Sequence, residues 1–552
     1  MRRYALATWL TLVPFLACAQ DAAKEPPSLN ASISGMVKDS VSGKALANYV
    51  VSTDVKGASN SPSKEVRSTT DESGRYKLSD LPPASYRLSA RHTEFFGTET
   101  SKRVTLAGHD IEALDFRVVV NGSISGKVFD ENKEPVPNMT VLLVSKEYYL
   151  GTTGYFLKSA GRTNDRGEYK LTRVEAGHPY LLLAENRVFK LPAHSEAPLN
   201  PKLRRRVPMR TWYLNSPAKE GAVSVTLRPG EEREGVDIEV KKSASYCIDG
   251  VMSTPNGPGV LNFSIEAQQP ASGPSASSAM YMRAPGGVTG ADGKFRICDL
   301  YPGAYRLLAM EQSSPNGPPP YYSATTIVIS DRDLTGFKLA ASGGLDISGE
   351  VILEGPQPAQ PIPDKVTVYP APRFRSSYGE NTGGRYEIPG NFTWKGMMVD
   401  EYAMRATVNS AGLYVKDVTY ADRSVMYEPL QLGSAPADAG LKVIIAQDGA
   451  TLSVRVADKD GNPVPDSKVV VMPADAVSEG VLAARLISGQ TDQAGQYTTP
   501  ALPPGKYYAA ANAESTNATE ENIGKLWRSR NHFTEIMLPP GGKVQVNLAP
   551  LP

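Results

Sequence analysis

Short runs of apolar and β-branched residues, separated by polar turns, recur along the whole chain. Examples are the five-residue runs Thr140 to Val144 and Lys468 to Met472. Strands of roughly five to seven residues between turns spaced about 8–12 residues apart are typical of antiparallel β-sandwiches. No segment has the apolar period of a long helix. The pattern therefore predicts an all-β protein.

The sequence contains about five copies of one repeated unit. Its opening strand is centred on the pattern Ser-Gly-x-Val, found at Ser34 to Val37, Ser125 to Val128, Asp249 to Val251, Ser348 to Val351 and, without glycine, Ser453 to Val456. A spacing of roughly 90–125 residues is too long for a solenoid and fits tandem domains. The predicted division is a leader at 1–19, a linker at 20–27 and five sandwiches at 28–118, 119–243, 244–342, 343–448 and 449–552. The second sandwich has insertions and the fourth is divergent.

A turn inside each unit carries a second repeated pattern. Its copies are Thr70 to Tyr76, Thr163 to Tyr169, Thr289 to Phe295 and Thr491 to Tyr497, and Gly383 to Tyr386 is a degenerate copy in the fourth unit. Asp or Asn caps such a turn through backbone amides, and Gly supplies the positive φ that closes the hairpin. About ten residues later another turn delivers Tyr86, Tyr180, Tyr305 and Tyr507. We expect each of these rings to pack inward with its hydroxyl near the surface.

These turn and strand motifs resemble the carboxypeptidase regulatory-like (transthyretin-like) β-sandwich, which is related in shape to Cna-B and starch-binding modules. The resemblance covers nearly the whole chain after the leader, and the order of the units is similar to that of exported acidobacterial proteins built from such domains. It implies a tandem array of about five antiparallel sandwiches of the immunoglobulin or transthyretin-like type with a carbohydrate-binding-like fold. It implies little about activity, because sandwich modules serve many unrelated functions.

The first twenty residues have the organisation of a secretory signal peptide. Arg2 and Arg3 precede an apolar stretch from Ala5 to Phe15, and Ala17 to Ala19 form a small-residue cleavage site. Lipidation of Cys18 is the alternative, although the residues before it match a lipobox poorly. The protein is predicted to be exported, to the periplasm, the outer membrane or the medium.

Charge and cysteine content narrow the picture further. Lys and Arg number 59 against 58 Asp and Glu, a balance that argues against nucleic acid as a partner. Outside the leader no apolar stretch is long enough to predict a transmembrane segment. Cleavage of the leader would leave Cys247 and Cys298, and an even pair in an oxidising compartment predicts a disulfide. Two buried free thiols are the alternative.

Few residues form a pattern that supports catalysis or metal binding. The five histidines (His92, His109, His178, His194 and His532) have no partner at a metal-site spacing, and no nucleophile elbow or phosphate-binding loop occurs. The loop Asp458 to Asn462 has only part of a calcium-binding pattern and is better explained as a hairpin turn. We therefore predict no enzyme activity, no cofactor and no metal.

One basic cluster lies in a long connection of the second unit. It consists of Lys202, Arg204, Arg205, Arg206 and Arg210. A solvated loop explains it, and contact with an anionic glycan or lipid headgroup is the alternative.

Aromatic residues outside the repeated turns are the predicted ligand-binding residues. They are Tyr148, Tyr149, Tyr155, Trp212, Tyr213, Tyr321, Tyr322 and Trp394, with Phe156 beside Tyr155. Sugar rings stack on flat aromatic side chains, and polar neighbours hold the hydroxyl groups. The alternative is that these rings cover sandwich edges, since large aromatic residues are mostly well buried.

Two functions follow from these features. The first is a non-catalytic exported protein that binds a carbohydrate or another cell-envelope polymer through loops and aromatic faces. The second is a structural spacer or adhesin-like protein that contacts other surface proteins. A spacer is favoured by short linkers between the units near residues 119–122, 244 and 343.

Overall fold

The structure is a computed structural model that describes residues 30–55, 64–92, 100–186, 205–267, 286–312, 317–356, 362–372, 383–433, 439–511 and 518–550. The predicted leader and linker lie outside these residues. Within them the chain forms 41 β-strands and two short α-helices. The predicted all-β array of sandwiches is confirmed.

The first sandwich contains β1 (Ala31–Asp39), β2 (Tyr49–Val55), β3 (Lys64–Thr69), β4 (Arg75–Leu81), β5 (Ala84–His92), β6 (Thr100–Leu106) and β7 (Phe116–Val118). The second contains β8 (Gly122–Asp130), β9 (Thr140–Tyr149), β10 (Thr152–Arg162), β11 (Glu168–Val174), β12 (Leu181–Glu185), β13 (Arg206–Pro208), β14 (Thr211–Trp212), β15 (Glu232–Arg233), β16 (Ile238–Val240) and β17 (Lys242–Ala244).

The third contains β18 (Tyr246–Thr254), β19 (Gly257–Pro258), β20 (Leu261–Ala267), β21 (Gly286–Val288), β22 (Lys294–Leu300), β23 (Gly303–Glu311), β24 (Tyr322–Ile329) and β25 (Leu334–Ala340). The fourth contains β26 (Leu345–Glu354), β27 (Val366–Pro372), β28 (Gly384–Tyr386), β29 (Gly390–Met397), β30 (Glu401–Val408), β31 (Tyr414–Tyr420), β32 (Arg423–Ser424), β33 (Leu430–Gln431) and β34 (Leu441–Ala446). The fifth contains β35 (Thr451–Val456), β36 (Lys468–Pro473), α1 (Glu479–Arg485), β37 (Ile487–Gln490), β38 (Gln496–Thr498), β39 (Gly505–Ala511), α2 (Glu520–Ser529), β40 (Thr534–Leu538) and β41 (Lys543–Leu548).

One strand order recurs in every sandwich. In the first, one sheet has the order β4-β1-β7 and the other β3-β2-β5-β6. The third repeats it with β18 between β22 and β25 and a facing β21-β20-β23-β24 sheet, and the fifth with β38-β35-β41 and β37-β36-β39-β40. Neighbouring strands are mostly antiparallel, as predicted, but the first strand of each sandwich pairs in parallel with a strand near its end.

The glycine of the opening pattern is explained by a close approach of the chain. A Cβ atom at Gly35, Gly126 or Gly250 would overlap the carbonyl oxygen of Leu114, Val236 or Phe337, respectively. Each of these oxygens lies on the segment that enters or forms the parallel last strand. The repeated glycine therefore allows the end of each sandwich to close against its beginning.

Each pair of facing sheets encloses its own hydrophobic core. One segment crosses between two of them, because β13 pairs with β17 and places Val207 in the core of the third sandwich. We retain the five predicted residue ranges as a proposal for the domain division.

Candidate functional site

A buried threonine fastens the repeated turn in four sandwiches. The hydroxyl of Thr70 donates to the carbonyl oxygen of Leu46 at 2.8 Å and accepts the backbone N–H of Tyr49 at 3.0 Å. The same two bonds are made by Thr163, Thr289 and Thr491. The sequence pattern contained this threonine, but its role was missed because only the Asp and Gly positions were interpreted.

The predicted Asx cap of the repeated turn is confirmed in three of its four copies, while the third sandwich has Gly290 at the capping position. Asp71 Oδ1 accepts two backbone N–H groups, from Ser73 and Arg75, both at 2.9 Å. Asn164 and Asp492 make the equivalent pairs of bonds. The polar side chains of these turns therefore bond to the backbone of their own sandwich.

A tyrosine bonds back to the chain at the start of a strand in all five sandwiches. Its hydroxyl donates to a backbone carbonyl four or five residues upstream, for Tyr86 (Pro82), Tyr180 (Glu175), Tyr305 (Tyr301), Tyr402 (Met398) and Tyr507 (Pro503), at 2.6–3.0 Å. This is the geometry of a tyrosine corner, a device that fixes the connection between strands. Tyr402 was not predicted from the sequence.

The assignment of Gly383 to Tyr386 as the fourth copy of the turn is wrong. Gly384 to Tyr386 form β28, which pairs with β27 in the other sheet. The residue that faces Gly349 is Phe392, just as Tyr76 faces Gly35 and Tyr169 faces Gly126. The divergent sandwich thus makes its turn before Phe392 without the Thr and Asp signature, and only the Gly-Arg-Tyr letters led to the wrong segment.

Three of the predicted ligand-binding residues are buried. Trp212, Tyr322 and Trp394 expose 1%, 5% and 3% of their surface. Trp212 belongs to an apolar cluster on the second sandwich, and Trp394 to the fourth core, where its indole N–H donates to the Tyr386 hydroxyl at 2.7 Å. These three rings have no open face on which a sugar could stack.

The other five predicted residues are half-buried. Tyr148, Tyr149 and Tyr155 lie together on the β9–β10 hairpin, and Tyr155 packs against Trp212 with ring centroids 6.2 Å apart. Tyr213 packs against the second core and Tyr321 against the third. The structure thus joins the hairpin tyrosines with Trp212, while Tyr321, Tyr322 and Trp394 lie on other sandwiches.

The β9–β10 hairpin of the second sandwich docks on the two helices of the fifth. We call this contact the hairpin–helix interface; it comprises residues 146–151, 478–482 and 518–526. The backbone N–H of Tyr148 donates to the carbonyl oxygen of Ala518 at 2.8 Å, and its hydroxyl donates to Glu479 Oε2 at 2.9 Å. Lys146 Nζ donates to Glu520 Oε1 at 2.6 Å. Residues 331 or more positions apart are therefore joined here.

Helix capping places the acidic partners. The Ser478 hydroxyl accepts the N–H of Val481 at 3.2 Å and starts α1, and the Thr519 hydroxyl accepts the N–H of Asn522 at 3.3 Å and starts α2. Glu479 and Glu520 follow directly, at the helix N-termini where negative charge is favoured. The Ser-Glu and Thr-Glu-Glu sequences, with Ile523, Leu526 and Trp527 at the i, i+3, i+4 spacing in α2, were the signal for these helices, which are only 7 and 10 residues long.

An apolar layer seals this interface. Leu482, Ile523 and Leu526 cluster with buried residues of the fifth sandwich, and Tyr148 packs against the cluster. Burial raises the pKa of the Tyr148 hydroxyl, and its hydrogen bond to Glu479 acts in the same direction. The hydroxyl therefore remains a donor throughout the neutral range.

The described part of the basic cluster is held in ion pairs within the chain. Arg205 pairs with Asp299 at 3.1 Å, Arg206 with Glu131 at 3.1 Å, and the largely buried Arg210 with Glu185 at 2.6 Å. Lys202 and Arg204 lie outside the described residues. The Arg205–Asp299 pair thus connects the second and third sandwiches, whereas the other two pairs lie within the second sandwich.

The structure contains a disulfide bond between Cys247 and Cys298, which joins β18 to β22 in the third sandwich. Among the described residues no group of three or more His, Cys, Asp or Glu side chains is placed to hold a metal ion. In the loop that partly resembles a calcium site, Asp458 Oδ1 accepts the N–H groups of Asp460 and Asn462, both at 2.9 Å. That carboxylate therefore stabilises a turn through hydrogen bonds to the backbone. His194 lies outside the described residues.

Comparison with known proteins finds a family model that matches the first sandwich. A family model of the carboxypeptidase regulatory-like domain matches residues 32–119. A search of the curated proteins finds no match to the chain. Neither helix in the described residues has the length and apolar character that crossing a bilayer requires.

Solved structures similar to this chain include two streptococcal pilins and a protein of Bacillus anthracis. A streptococcal ancillary pilin is 10% identical and covers 57% of this chain and 98% of its own, with a TM-score of 0.19. The full-length major pilin of Streptococcus pneumoniae is 8% identical and covers 95% and 100%, with a TM-score of 0.17. The TIE protein of Bacillus anthracis is 10% identical and covers 95% and 76%, with a TM-score of 0.14. Similarities at this level do not bear on function.

Proposed function

We propose that this chain is a non-catalytic, exported structural protein of the cell surface, in which β-sandwiches are fastened to one another into a scaffold. The observation that carries the proposal is the hairpin–helix interface, where elements absent from the repeated pattern join the second and fifth sandwiches. The polar residues of the repeated turns support it as well, since they bond to the backbone of their own sandwich.

Export is part of the proposal. A disulfide bond such as Cys247–Cys298 is typical of proteins that fold in an oxidising compartment. This agrees with a leader at 1–19, and we propose the periplasm, the outer membrane or the exterior as the location.

A scaffold has more support than the binding of a carbohydrate through the eight predicted aromatic residues. Three of those rings are buried, and Tyr148 is engaged by the fifth sandwich. Fastened sandwiches also differ from the predicted spacer, because the chain returns on itself and does not extend as a row of independent domains. Other proteins of the surface are the partners that we propose for such a scaffold.

The substitution Gly480→Ala tests the scaffold. A Cβ atom at Gly480 would overlap the carbonyl oxygen of Gly151 in the hairpin, whereas alanine favours α1 itself by about 1 kcal/mol. We expect small-angle X-ray scattering to give a larger maximum dimension for the variant, and amide exchange at residues 146–151 to become faster.

Gly524→Ala in α2 is the matched control. Its Cβ would come closest to the end of the flexible Arg528 side chain, at 3.2 Å, and would lie at an ordinary contact distance of 3.7 Å from Glu479 Oε1, so the particle should keep its size. The scaffold would be refuted if the scattering curve of the unsubstituted protein could be fitted only by sandwiches that move freely. Identical amide exchange at residues 146–151 in both variants would refute it as well.

A further inference from the structure

A second contact between distant parts of the chain leaves an open cleft. It lies between the first and fifth sandwiches and has a volume of about 620 Å³. Strands β5 and β6 form one wall, and residues near β36–β38 form the other. We call it the cationic cleft, defined by Arg87, Lys102, Arg103, Lys468, Gln490 and Tyr497.

Positive charge dominates this cleft. Four cationic side chains line it against two carboxylates, those of Asp466 and Asp492. Asp466 pairs with Lys102, and one oxygen of Asp492 accepts two backbone N–H groups of its own turn. Both acidic groups are therefore engaged within the chain, and the net charge that faces the cleft is positive.

Two arginines stand directly opposite each other on one wall. Arg87 of β5 and Arg103 of β6 are cross-strand partners, and both side chains are exposed. Arg87 donates from Nε and Nη2 to the Ser101 hydroxyl at 3.3 and 3.2 Å, and within the described residues neither arginine forms an ion pair. Like charges in directly opposed positions destabilise a sheet. A bound anion would offset this repulsion.

The opposite wall offers groups that recognise a sugar. The half-buried ring of Tyr497 packs over Gly489, and its hydroxyl donates to the carbonyl oxygen of Ser488 at 3.3 Å. Burial raises the pKa of Tyr497 while the charge of Arg103 lowers it, which places that arginine within electrostatic range of the ring across the cleft. The amide group of Gln490 lies on the same wall.

We propose that the cationic cleft binds an acidic saccharide whose sugar rings carry carboxylates. Guanidinium groups pair with carboxylates in a bidentate geometry, which fits the arginine pair. Sugar rings stack on aromatic faces, and amides bond to sugar hydroxyls, which fits Tyr497 and Gln490. The overall charge of the chain is close to neutral, so this local excess of cations is a property of the cleft and not of the whole surface. The proposal goes beyond the scaffold function but rests on it in one respect, since the cleft requires the first and fifth sandwiches to be held together.

Calorimetric titration of the full exported chain with an oligogalacturonate tests the proposal. Maltooligosaccharide of equal length provides a neutral arm, and inorganic polyphosphate provides an anion without sugar rings. We expect binding of the oligogalacturonate, weaker binding of polyphosphate and none of the neutral sugar. No binding of the uronate, or equal binding of polyphosphate, would overturn the proposal.

Substitution of the arginine pair locates the site. Arg87→Gln with Arg103→Gln should weaken uronate binding by about a hundredfold, at about tenfold for each charged hydrogen-bonding group. Arg166→Gln removes an exposed arginine from a turn of the second sandwich and should leave binding unchanged. Equal affinity of the double variant and the unsubstituted chain would refute the site.

Amide exchange on the unsubstituted chain gives a readout that does not depend on any variant. Saturating uronate should slow exchange in residues 100–106 and 487–498, and should leave the repeated turn at 163–169 unaffected. Binding without slower exchange in the first two segments would place the ligand elsewhere and overturn the proposal.

Discussion

The repeated turns and the hairpin–helix interface use similar residues for different purposes. Thr163 in a repeated turn bonds to two backbone groups of its own sandwich, whereas Thr519 caps the helix that faces another sandwich. Glu479 and Glu520 likewise accept side-chain donors from the second sandwich. Repeated residues therefore determine the fold of each sandwich, and residues that occur once determine how sandwiches are arranged.

The largest effect is expected at the glycine of the opening pattern, where a backbone carbonyl group occupies the space that a Cβ atom would need. In Gly250→Ala the new Cβ would overlap the Phe337 carbonyl oxygen, and a backbone group cannot rotate away. We expect a loss of about 3 kcal/mol in the free energy of unfolding of the third sandwich, measured by denaturant titration. Gly259→Ala in the same sandwich meets no atom within 4 Å and should be nearly neutral. Equal losses would contradict the close-approach explanation.

The threonine of the repeated turn comes next. Thr163→Val removes a buried acceptor and a buried donor and leaves the Met139 N–H and the Val136 carbonyl without their partner. The second sandwich should lose about 2 kcal/mol. Thr226→Val, at an exposed position of the same sandwich, should have almost no effect in the same unfolding experiment. A stable Thr163 variant would mean that the repeat does not depend on this residue.

The tyrosine corner tests whether the divergent fourth sandwich is stabilised by the same hydrogen bond as the fifth. Tyr402→Phe and Tyr507→Phe each remove one hydroxyl bond to the backbone, of 3.0 and 2.8 Å, and should each cost about 1 kcal/mol. Similar losses would show that the fourth and fifth sandwiches share the device. A loss of stability in the Tyr507 variant alone would mean that the fourth sandwich does not depend on the tyrosine corner.

Alkaline pH should act on the same tyrosine bond. Burial raises the pKa of Tyr507 to about 12 from an ordinary value of 10.0. The protonated form is therefore favoured in the folded state, so its contribution is complete below pH 10 and is lost as the pH rises towards 12. The unfolding temperature of Tyr507→Phe should consequently fall less steeply with rising pH than that of the unsubstituted protein over this range. Parallel pH profiles would contradict the assignment.

The sequence was sufficient for the fold because its signals are local. Alternating apolar runs, Asx turns and positive-φ glycines act within a few residues, and they recur in four sandwiches. The fourth sandwich shows the limit of this approach. Its first strand and Tyr402 are preserved in space, but the turn before Phe392 has other residues, so matching letters at Gly383 to Tyr386 led to the wrong strand.

The candidate sites were less accessible to sequence reasoning. Whether Trp212 or Trp394 is a binding face or a core residue depends on the sheet that covers it, which lies far away along the chain. The hairpin–helix interface contains a hydrogen bond between residues 331 positions apart, and the cationic cleft joins β6 to β37 and β38. Composition and spacing contain no signal for either contact.

A disulfide trap across the hairpin–helix interface tests the central claim most directly. Glu147 and Thr519 are partners in an antiparallel bridge, and such partners have Cα atoms about 4.5–5.5 Å apart, within the range that a disulfide spans. In the variant Glu147→Cys with Thr519→Cys, we predict an intramolecular crosslink between these two positions, found by mass spectrometry of the oxidised monomer and absent from each single variant. Recovery of both cysteines as free thiols, or only of crosslinks between chains, would contradict it.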